Sequence, residues 1–307
     1  MNAIFMALSS RPVSGPSSLR GLVLIALAAV SWGTTGTATT VLVRETAVSP
    51  LVIGVARLAI AAIVLAVLAR VRGSLAIARA DIIPCIGMGA CMAVFQAGYF
   101  TAVLLVGIAL TALIAICAAP LMIAVLGRVV LDERLSARGV LALAIGVTGT
   151  GLLIIGPRAV ADVGPRFAAG VALALAAGVS YAVYVVIAKV SVVRTPPLPL
   201  ATTTFLFGAV WLAPALFWAD ASVQQVAVGW PLLLYLGVVT TGLAYAAYTT
   251  GLTSVSAAAA GIVSLLEPLT ATLLGVVLFG ERLGTIGVVG AVLLVGAVAI
   301  LVREETR

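Results

Sequence analysis

Apolar runs of membrane-spanning length recur along almost the whole chain. A helix needs about 20 mostly apolar residues to cross the hydrocarbon core of a bilayer. Such runs occur ten times, separated by short segments that carry charges, glycine or proline. We therefore predict an all-α integral membrane protein with ten transmembrane helices. The predicted helices are 20–43, 50–69, 81–104, 108–130, 138–156, 167–190, 198–219, 230–251, 255–279 and 285–302.

The composition excludes a water-soluble protein. Hydrophobic residues make up 63% of the 307 residues, charged residues make up 9%, and the mean hydropathy is +1.30. Soluble domains carry about 25% charged residues, which this chain could not supply. The net charge of +7 does not indicate nucleic-acid binding, because the basic residues are spread in twos and threes between the apolar runs.

The distribution of lysine and arginine predicts the orientation. With a cytoplasmic N-terminus, the inner segments hold 12 of the 17 basic residues, the outer segments hold 4, and 1 lies within a span. Cytoplasmic loops of membrane proteins carry such an excess of positive charge. We therefore predict that both termini are cytoplasmic, with 1–19 as a disordered tail and 303–307 as a C-terminal tail. The composition, rich in arginine, alanine and glycine, favours a bacterial source and hence the bacterial inner (plasma) membrane.

The two halves of the chain carry an internal repeat. Residues 119–139 align without a gap with residues 267–287, at an offset of 148. The aligned identities include Pro120 with Pro268, Gly127 with Gly275, Glu-Arg-Leu at 133–135 with Glu-Arg-Leu at 281–283, and Gly139 with Gly287. A second match pairs Val-Ser-Trp at 30–32 with Val-Ser-Tyr at 179–181, at an offset of 149.

The repeat also predicts how the halves are arranged. Each half holds five helices, an odd number, so the second half must enter the membrane from the opposite side. Inverted repeats of this kind form many secondary transporters, whose central site faces the two sides of the membrane in turn. We predict two repeats, 20–156 and 167–302, around a central cavity, joined by a loop at 157–166. The predicted function is secondary transport of a small organic metabolite by alternating access.

A motif of proline, apolar helix, Glu-Arg-Leu and glycine occurs once in each half, from Pro120 to Gly139 and from Glu267 to Gly287. Together with Ser-Trp-Gly at 31–33, it resembles the EamA family of the drug/metabolite transporter superfamily. The resemblance implies ten helices, cytoplasmic termini, and transport of small metabolites, commonly the export of amino acids. Within the family, the chain is most similar to the YddG-type exporters of aromatic and other bulky amino acids.

Two ionisable residues lie well inside predicted spans, where charges are costly and usually functional. Glu267 could bind a substrate ammonium group or carry a proton; the alternative is a structural hydrogen bond near Pro268. Proton coupling through Glu267, facilitated export and exchange are all left open. Arg57 could bind the substrate, tie helix 2 to a neighbour, or extend its charge towards the membrane surface. Pro120 and Pro268 are predicted hinges, because proline removes a helical hydrogen bond.

Aromatic and amide side chains form a second group of candidates. Those near the middle of helices 1 and 6 line either a cavity or an ordinary helix contact. In helices 3 and 8, pairs spaced three residues apart share a helix face, and such groups suit an uncharged or zwitterionic substrate. The predicted substrate-binding residues are Trp32, Gln96, Tyr99, Tyr181, Tyr184, Tyr245, Tyr248 and Glu267.

Other features are predicted to be structural. The almost wholly apolar helices 5 and 10 are expected to form a scaffold. The repeated Glu-Arg pairs, at 133–134 and 281–282, are expected in loops on opposite membrane faces. There, each carboxylate would cap the following helix or pair with a neighbouring arginine.

The sequence offers little chemistry for an enzyme. It contains no histidine, which removes Ser–His and Cys–His pairs and histidine-ligated metal sites. Cys85, Cys91 and Cys117 lie in apolar runs without metal-ligand spacing. We expect no enzymatic activity, cofactor or metal.

The chain is expected to be a monomer. Its expected partners are the lipid bilayer and a small-molecule substrate, which is an amino acid or a related metabolite. The alternatives are export of another metabolite or drug, and a membrane enzyme or sensor.

Overall fold

Helices and the turns between them make up the described part of the protein. The structure, a computed structural model, describes residues 16–73, 75–155, 165–219, 223–280, 282 and 284–305. Ten helices in these ranges are long and apolar enough to cross a membrane, and the same ranges contain no strand, which confirms the predicted fold class. Most of the predicted tail at 1–19 and of the loop at 157–166, together with Glu281 and Leu283, lies outside the described residues.

The membrane helices are numbered α1 to α10 in chain order, and the three interrupted ones are divided into parts a and b. Their bounds are α1a Pro16–Gly33, α1b Thr35–Thr46, α2 Pro50–Val71, α3 Ile82–Val106, α4 Ile108–Val130, α5 Ala137–Ile155, α6 Pro165–Ser191, α7 Pro197–Leu212, α8a Val223–Gly237, α8b Ala244–Leu252, α9a Ala257–Ser264, α9b Leu266–Phe279 and α10 Thr285–Glu305. A π-helical turn, Val238–Leu243, joins α8a to α8b.

Two helices are longer than the sequence predicts. Helix α1 continues to Thr46, and threonine side chains in its second part bond to their own helix: Thr40 donates to the Gly36 carbonyl at 2.8 Å and Thr46 to the Leu42 carbonyl at 2.7 Å. Helix α8 begins at Val223 rather than at residue 230, because two glutamines that interrupt the apolar pattern belong to its first turns.

Local sequence determines several helix ends. Pro50 occupies the first turn of α2, where its missing N–H is no loss. Ser136 accepts hydrogen bonds from the first backbone N–H groups of α5, and Ser256 accepts one from Ala259 in α9a at 3.1 Å. Gly280 ends α9b with a positive φ of 66°, a conformation that glycine adopts without steric cost.

The helix contacts repeat between the two halves. Helix α1 packs on α8 and α9, and its counterpart α6 packs on α3 and α4, the counterparts of those two helices. Helices α2 and α7, α4 and α9, and α5 and α10 each pack on their own counterpart. This is the pattern produced by a pseudo-twofold axis in the membrane plane, so the two repeats are inverted.

Helices α5 and α10 pack mainly against each other, and α5 also packs on α4 and α9. Their backbones meet at two glycines: a Cβ atom built on Gly149 would lie 2.8 Å from the Gly290 carbonyl oxygen. Small residues allow this approach in membrane helices, where dispersion rather than the hydrophobic effect drives association. The pair also reaches the break between α9a and α9b, because a Cβ atom on Gly146 of α5 would lie 2.9 Å from the Leu265 side chain.

Several polar contacts join the halves at the membrane face where α1 begins, here called the N-terminal face. It comprises the turns after α2, α4, α6 and α8, at 72–73, 75–81, 131–136, 192–196 and 253–256. Glu133 accepts hydrogen bonds from the Ala257 backbone N–H at 3.0 and 3.1 Å, so it caps α9a in the other half of the protein. The sequence predicted instead that Glu133 would cap the following helix or pair with a neighbouring arginine. Lys189 donates to the carbonyls of Leu252 and Val255, at 2.8 and 2.6 Å.

A second group of contacts lies at the same face. The buried Asp81 pairs with Arg194 and accepts a hydrogen bond from Thr195 at 2.7 Å, which ties the turn before α3 to the turn after α6. Ser136 donates to Glu304 near the end of α10. These contacts join the two halves of the protein at the N-terminal face.

Candidate functional site

Helices α1, α8 and α9 are interrupted near the middle of their spans, and the interruptions lie against one another. The Ser31 hydroxyl at the end of α1a donates to the Val239 carbonyl in the π-helical turn, at 3.3 Å. Gly33 lies so close to α9b that a Cβ atom there would be 2.6 Å from the Glu267 carbonyl oxygen. Discontinuous helices that meet at mid-membrane form the substrate and ion sites of many transporters.

Proline explains the interruption of α9. Pro268 has no N–H to donate to the Ser264 carbonyl one turn earlier, and the helix is broken at Leu265, between them. Its repeat partner Pro120 lies inside α4, which continues without interruption. The two predicted hinges therefore differ in this conformation, and only Pro268 lies at the meeting point of the interrupted helices.

Side-chain hydroxyls occupy the interruption of α1. Thr34 donates to the Ser31 carbonyl at 2.7 Å and also forms a 2.7 Å hydrogen bond with the Tyr235 hydroxyl in α8a. A threonine that bonds to nearby backbone competes with the regular helical pattern. The contact with Tyr235 fixes this irregular turn against α8.

Aromatic side chains from five helices form one connected group beside the interruptions, here called the aromatic cluster. Its members are Trp32, Phe95, Tyr99, Phe100, Tyr181, Tyr184, Phe205, Tyr245 and Tyr248. Tyr245 is central, with ring centroids 4.8 Å from Trp32 and 4.6 Å from Phe205. All six aromatic residues predicted from the sequence belong to this cluster, which also includes three phenylalanines that the sequence analysis missed.

Some polar atoms of the aromatic cluster are buried without a partner. The Trp32 indole N–H and the Tyr184 hydroxyl form no hydrogen bond in the described structure. An unpaired buried polar group costs about 1–3 kcal/mol. These side chains are at most 9% exposed, so the cluster fills the centre of the protein and presents donors that a ligand could pair.

Two opposite charges lie next to this cluster. Arg57 on α2 is 9% exposed, and its Nε–H donates to the Thr241 hydroxyl at 3.1 Å. Glu267 lies in the first turn of α9b, where the helix N-terminus favours a carboxylate. Both charges interact electrostatically with each other and with Tyr245, yet within the described residues no ion pair joins them. The arrangement offers one positive and one negative group beside aromatic rings.

Gln96 lies beside α2, close to the Phe100 ring of the aromatic cluster. A Cβ atom on Gly54 would be 3.6 Å from the Gln96 Nε2 atom, so the amide lies against α2. Gly54 and Arg57 are three residues apart and share a face of α2. Gln96 therefore lies near Arg57, whereas its predicted companion Tyr99 belongs to the aromatic cluster through Phe95, at 5.8 Å.

Three residues near the site, Phe95, Phe205 and Thr241, were not predicted from the sequence, and only the first has a sequence pattern that could have identified it. Phe95 is four residues from Tyr99, a spacing that places both on one face of α3, so it could have been found. Phe205 lies in a threonine- and phenylalanine-rich run of α7 that carries no distinguishing pattern. Thr241 is one of several helical threonines, and only the fold brings it to Arg57, 184 residues away in sequence.

Comparisons with known proteins agree with this architecture. The sequence profile of the EamA-like transporter family matches residues 19–155 and again 168–303. The uncharacterized transporter YwfM of Bacillus subtilis (strain 168) is 36% identical over 261 residues, which cover 84% of this chain and 86% of that protein. A permease-like protein of the same organism, YdzE, is 32% identical over 74 residues, or 24% of this chain and 95% of YdzE.

A solved crystal structure has the same fold. It superposes with a TM-score of 0.80 at 25% identity, and the match covers 92% of this chain and 98% of that one. The structure thus has ten helices in two inverted repeats, with a site where interrupted helices meet. The family profile matches each of the two repeats in turn. The chain therefore belongs to the EamA-like transporter family and is a multi-pass membrane transporter.

Proposed function

We propose that this transporter exports amino acids with bulky neutral side chains, aromatic ones among them, by alternating access. The observation that carries the proposal is the position of Arg57 and Glu267 beside the aromatic cluster. A zwitterion supplies one carboxylate and one ammonium group, which match these two charges in sign. The aromatic rings would then pack against the substrate side chain, each good ring contact contributing about 0.5–1.5 kcal/mol.

Glu267 is the proposed ligand of the substrate ammonium group. Among the described residues, it is the only carboxylate in the middle of a span, and the other described aspartates and glutamates lie near helix ends or in turns. Binding there would neutralise a costly buried charge. The unpaired Tyr184 hydroxyl and the Trp32 indole N–H would donate to the substrate or to water that enters with it.

The proposed orientation places the N-terminal face in the cytoplasm of a bacterial cell, at the inner membrane. The excess of arginine on that side supports it. Export then requires the contacts of Glu133 and Lys189 to open, the aromatic side chains to part, and the substrate to enter from the cytoplasm. The chain is proposed to work as a monomer, because each half already supplies the inverted partner of the other.

Uptake by the purified chain in liposomes tests the proposal. A panel of radiolabelled amino acids is supplied, with and without a pH gradient. We expect saturable uptake of phenylalanine, tyrosine, leucine and isoleucine, and weak uptake of glycine, aspartate and lysine. Uptake of no amino acid by folded protein would contradict the proposal and assign the transporter to another metabolite class.

A further inference from the structure

We propose that Arg57 is the anchor for the substrate carboxylate, and that Thr241 holds its guanidinium group in position. The inference rests on the proposed function, since it presupposes an amino-acid substrate, and it adds a requirement for a free carboxylate. From the sequence, Arg57 could bind the substrate, tie helix 2 to a neighbour or extend its charge towards the membrane surface. The structure places it beside the aromatic cluster, with no ion-pair partner in the described part of the chain.

The burial of Arg57 requires an explanation. It lies on α2 two turns from Pro50, is 9% exposed, and faces the interrupted helix α8 rather than lipid. Arginine carries five N–H donors in a planar fork. In the described residues, only the Nε–H has a hydrogen-bond partner, the Thr241 hydroxyl. The two terminal nitrogens therefore keep their donors available, and two parallel N–H groups match a carboxylate.

The π-helical turn of α8 determines where Thr241 lies. Thr240 and Thr241 both donate to the Leu236 carbonyl, at 2.9 and 2.7 Å. Thr241 alone also accepts the Nε–H of Arg57. A π-helical turn widens the helix by one residue and is often found at functional sites. Here it orients one hydroxyl so that the guanidinium group is held at its Nε end and its terminal nitrogens are left free.

The second charge determines what the anchor can hold. Glu267 interacts electrostatically with Arg57 without pairing with it, so the two charges approach one region from α2 and α9b. A ligand with a carboxylate and an ammonium group would satisfy both. An amine without the carboxylate would leave the arginine unpaired at a desolvation cost, and the site should therefore reject it.

The test compares L-phenylalanine with L-phenylalaninamide, which keeps the ring and the ammonium group but replaces the carboxylate with a neutral amide. Both are assayed with the full chain in liposomes. The wild type should prefer phenylalanine by roughly tenfold to a hundredfold in the ratio of maximal rate to KM, as a charge-assisted bidentate pair implies. In R57Q this preference should fall to near unity.

Thr241 is tested by a matched pair of variants. T241V removes the hydroxyl that bonds to Arg57, and should raise the KM for phenylalanine by roughly threefold to tenfold while changing the amide little. T240V removes a neighbouring hydroxyl that bonds only to Leu236. It should leave the KM values of both compounds unchanged.

The outcomes separate this inference from the proposed function. Phenylalanine transport by the wild type together with an undiminished preference in R57Q would overturn the anchor and leave the proposed function standing. Failure of the wild type to transport any amino acid would overturn both. If R57Q is not monodisperse in detergent, T241V decides the matter: equal effects on phenylalanine and its amide would contradict the role of Arg57.

Discussion

Glu267 differs from its repeat counterpart, which is Ala119, so this charge belongs to one half only. It lies in the first turn of α9b beside Arg57, at the point where α1 and α9 meet. The repeat by itself would place equivalent groups in both halves. We therefore propose that this single carboxylate recognises one end of an asymmetric substrate.

We expect E267Q to raise the KM for bulky neutral amino acids by roughly tenfold or more, because glutamine keeps the shape but loses the charge-assisted bond to an ammonium group. Uptake kinetics in liposomes measure this. If Glu267 also carries a proton, the same variant will lose any response to a pH gradient. E45Q is the control, because Glu45 is exposed near the end of α1b, on the side of the membrane opposite the N-terminal face. Its KM for bulky neutral amino acids should equal that of the wild type. An unchanged KM in E267Q would remove Glu267 from the site.

The hydroxyl of Tyr184 gives a second residue-scale prediction. It is buried without a hydrogen-bond partner, so Y184F should leave the melting temperature unchanged or slightly higher. If the hydroxyl binds substrate, the KM rises severalfold. Y235F is the matched control, since its hydroxyl bonds to Thr34 at 2.7 Å and its loss should cost about 1 kcal/mol of stability. A large loss of stability in Y184F with normal transport would show that the hydroxyl is structural.

The sequence allowed us to predict which residues belong to the site, but not which residues they contact. Trp32 and Tyr181 were predicted because polar aromatic groups away from the membrane interface need partners, and both belong to the aromatic cluster. The bond between Arg57 and Thr241 could not be predicted, because helical periodicity does not say which face of one span meets which face of another. The same limit applies to Glu133, whose partner helix lies in the other half.

Among the helices, the main finding is the difference between counterparts. Helices α1, α8 and α9 are interrupted, whereas their repeat partners α6, α3 and α4 are continuous. The sequence predicts equivalent hinges at Pro120 and Pro268, because it contains the same proline in both halves. Whether a proline interrupts its helix depends on the packing around it, and an alternating-access mechanism requires that packing to differ between the halves.

The Glu133 contact gives an element-scale prediction. E133A removes one of the two caps of α9a and leaves Ser256 in place, which should cost about 1 kcal/mol and separate the turns of the N-terminal face more often. The probe is a cysteine at Val255, which is 3% exposed, in a background with the native cysteines replaced by alanine. Labelling by a membrane-impermeant maleimide should become roughly fivefold faster, since 1 kcal/mol is about that factor in population.

D132N is the matched control for this change. Asp132 is adjacent in sequence but pairs with Arg128 in the same turn, so it does not join the two halves. Its loss should leave labelling at position 255 at the wild-type rate. Equal acceleration by both variants would mean that general loosening of the turn, and not release of α9a, exposes the probe.

For the whole molecule, the number and class of helices, the repeat and its inversion followed from the sequence, because the bilayer imposes a length on every span and an odd helix count determines the inversion. The conformation did not follow. The aromatic cluster fills the centre and the N-terminal face is joined by Glu133, Lys189 and Asp81. Both features depend on contacts between residues far apart in sequence.

Trp32 offers the most direct test of where substrate binds. The other three tryptophans, Trp211, Trp218 and Trp230, are more than half exposed, so replacing them with phenylalanine leaves Trp32 as the fluorescent reporter inside the aromatic cluster. L-Leucine, which does not fluoresce, is titrated into the purified variant. We expect a saturable change in Trp32 emission that is absent in E267Q. Saturable leucine transport by this variant without any change in Trp32 emission would contradict a substrate site at the meeting point of the interrupted helices.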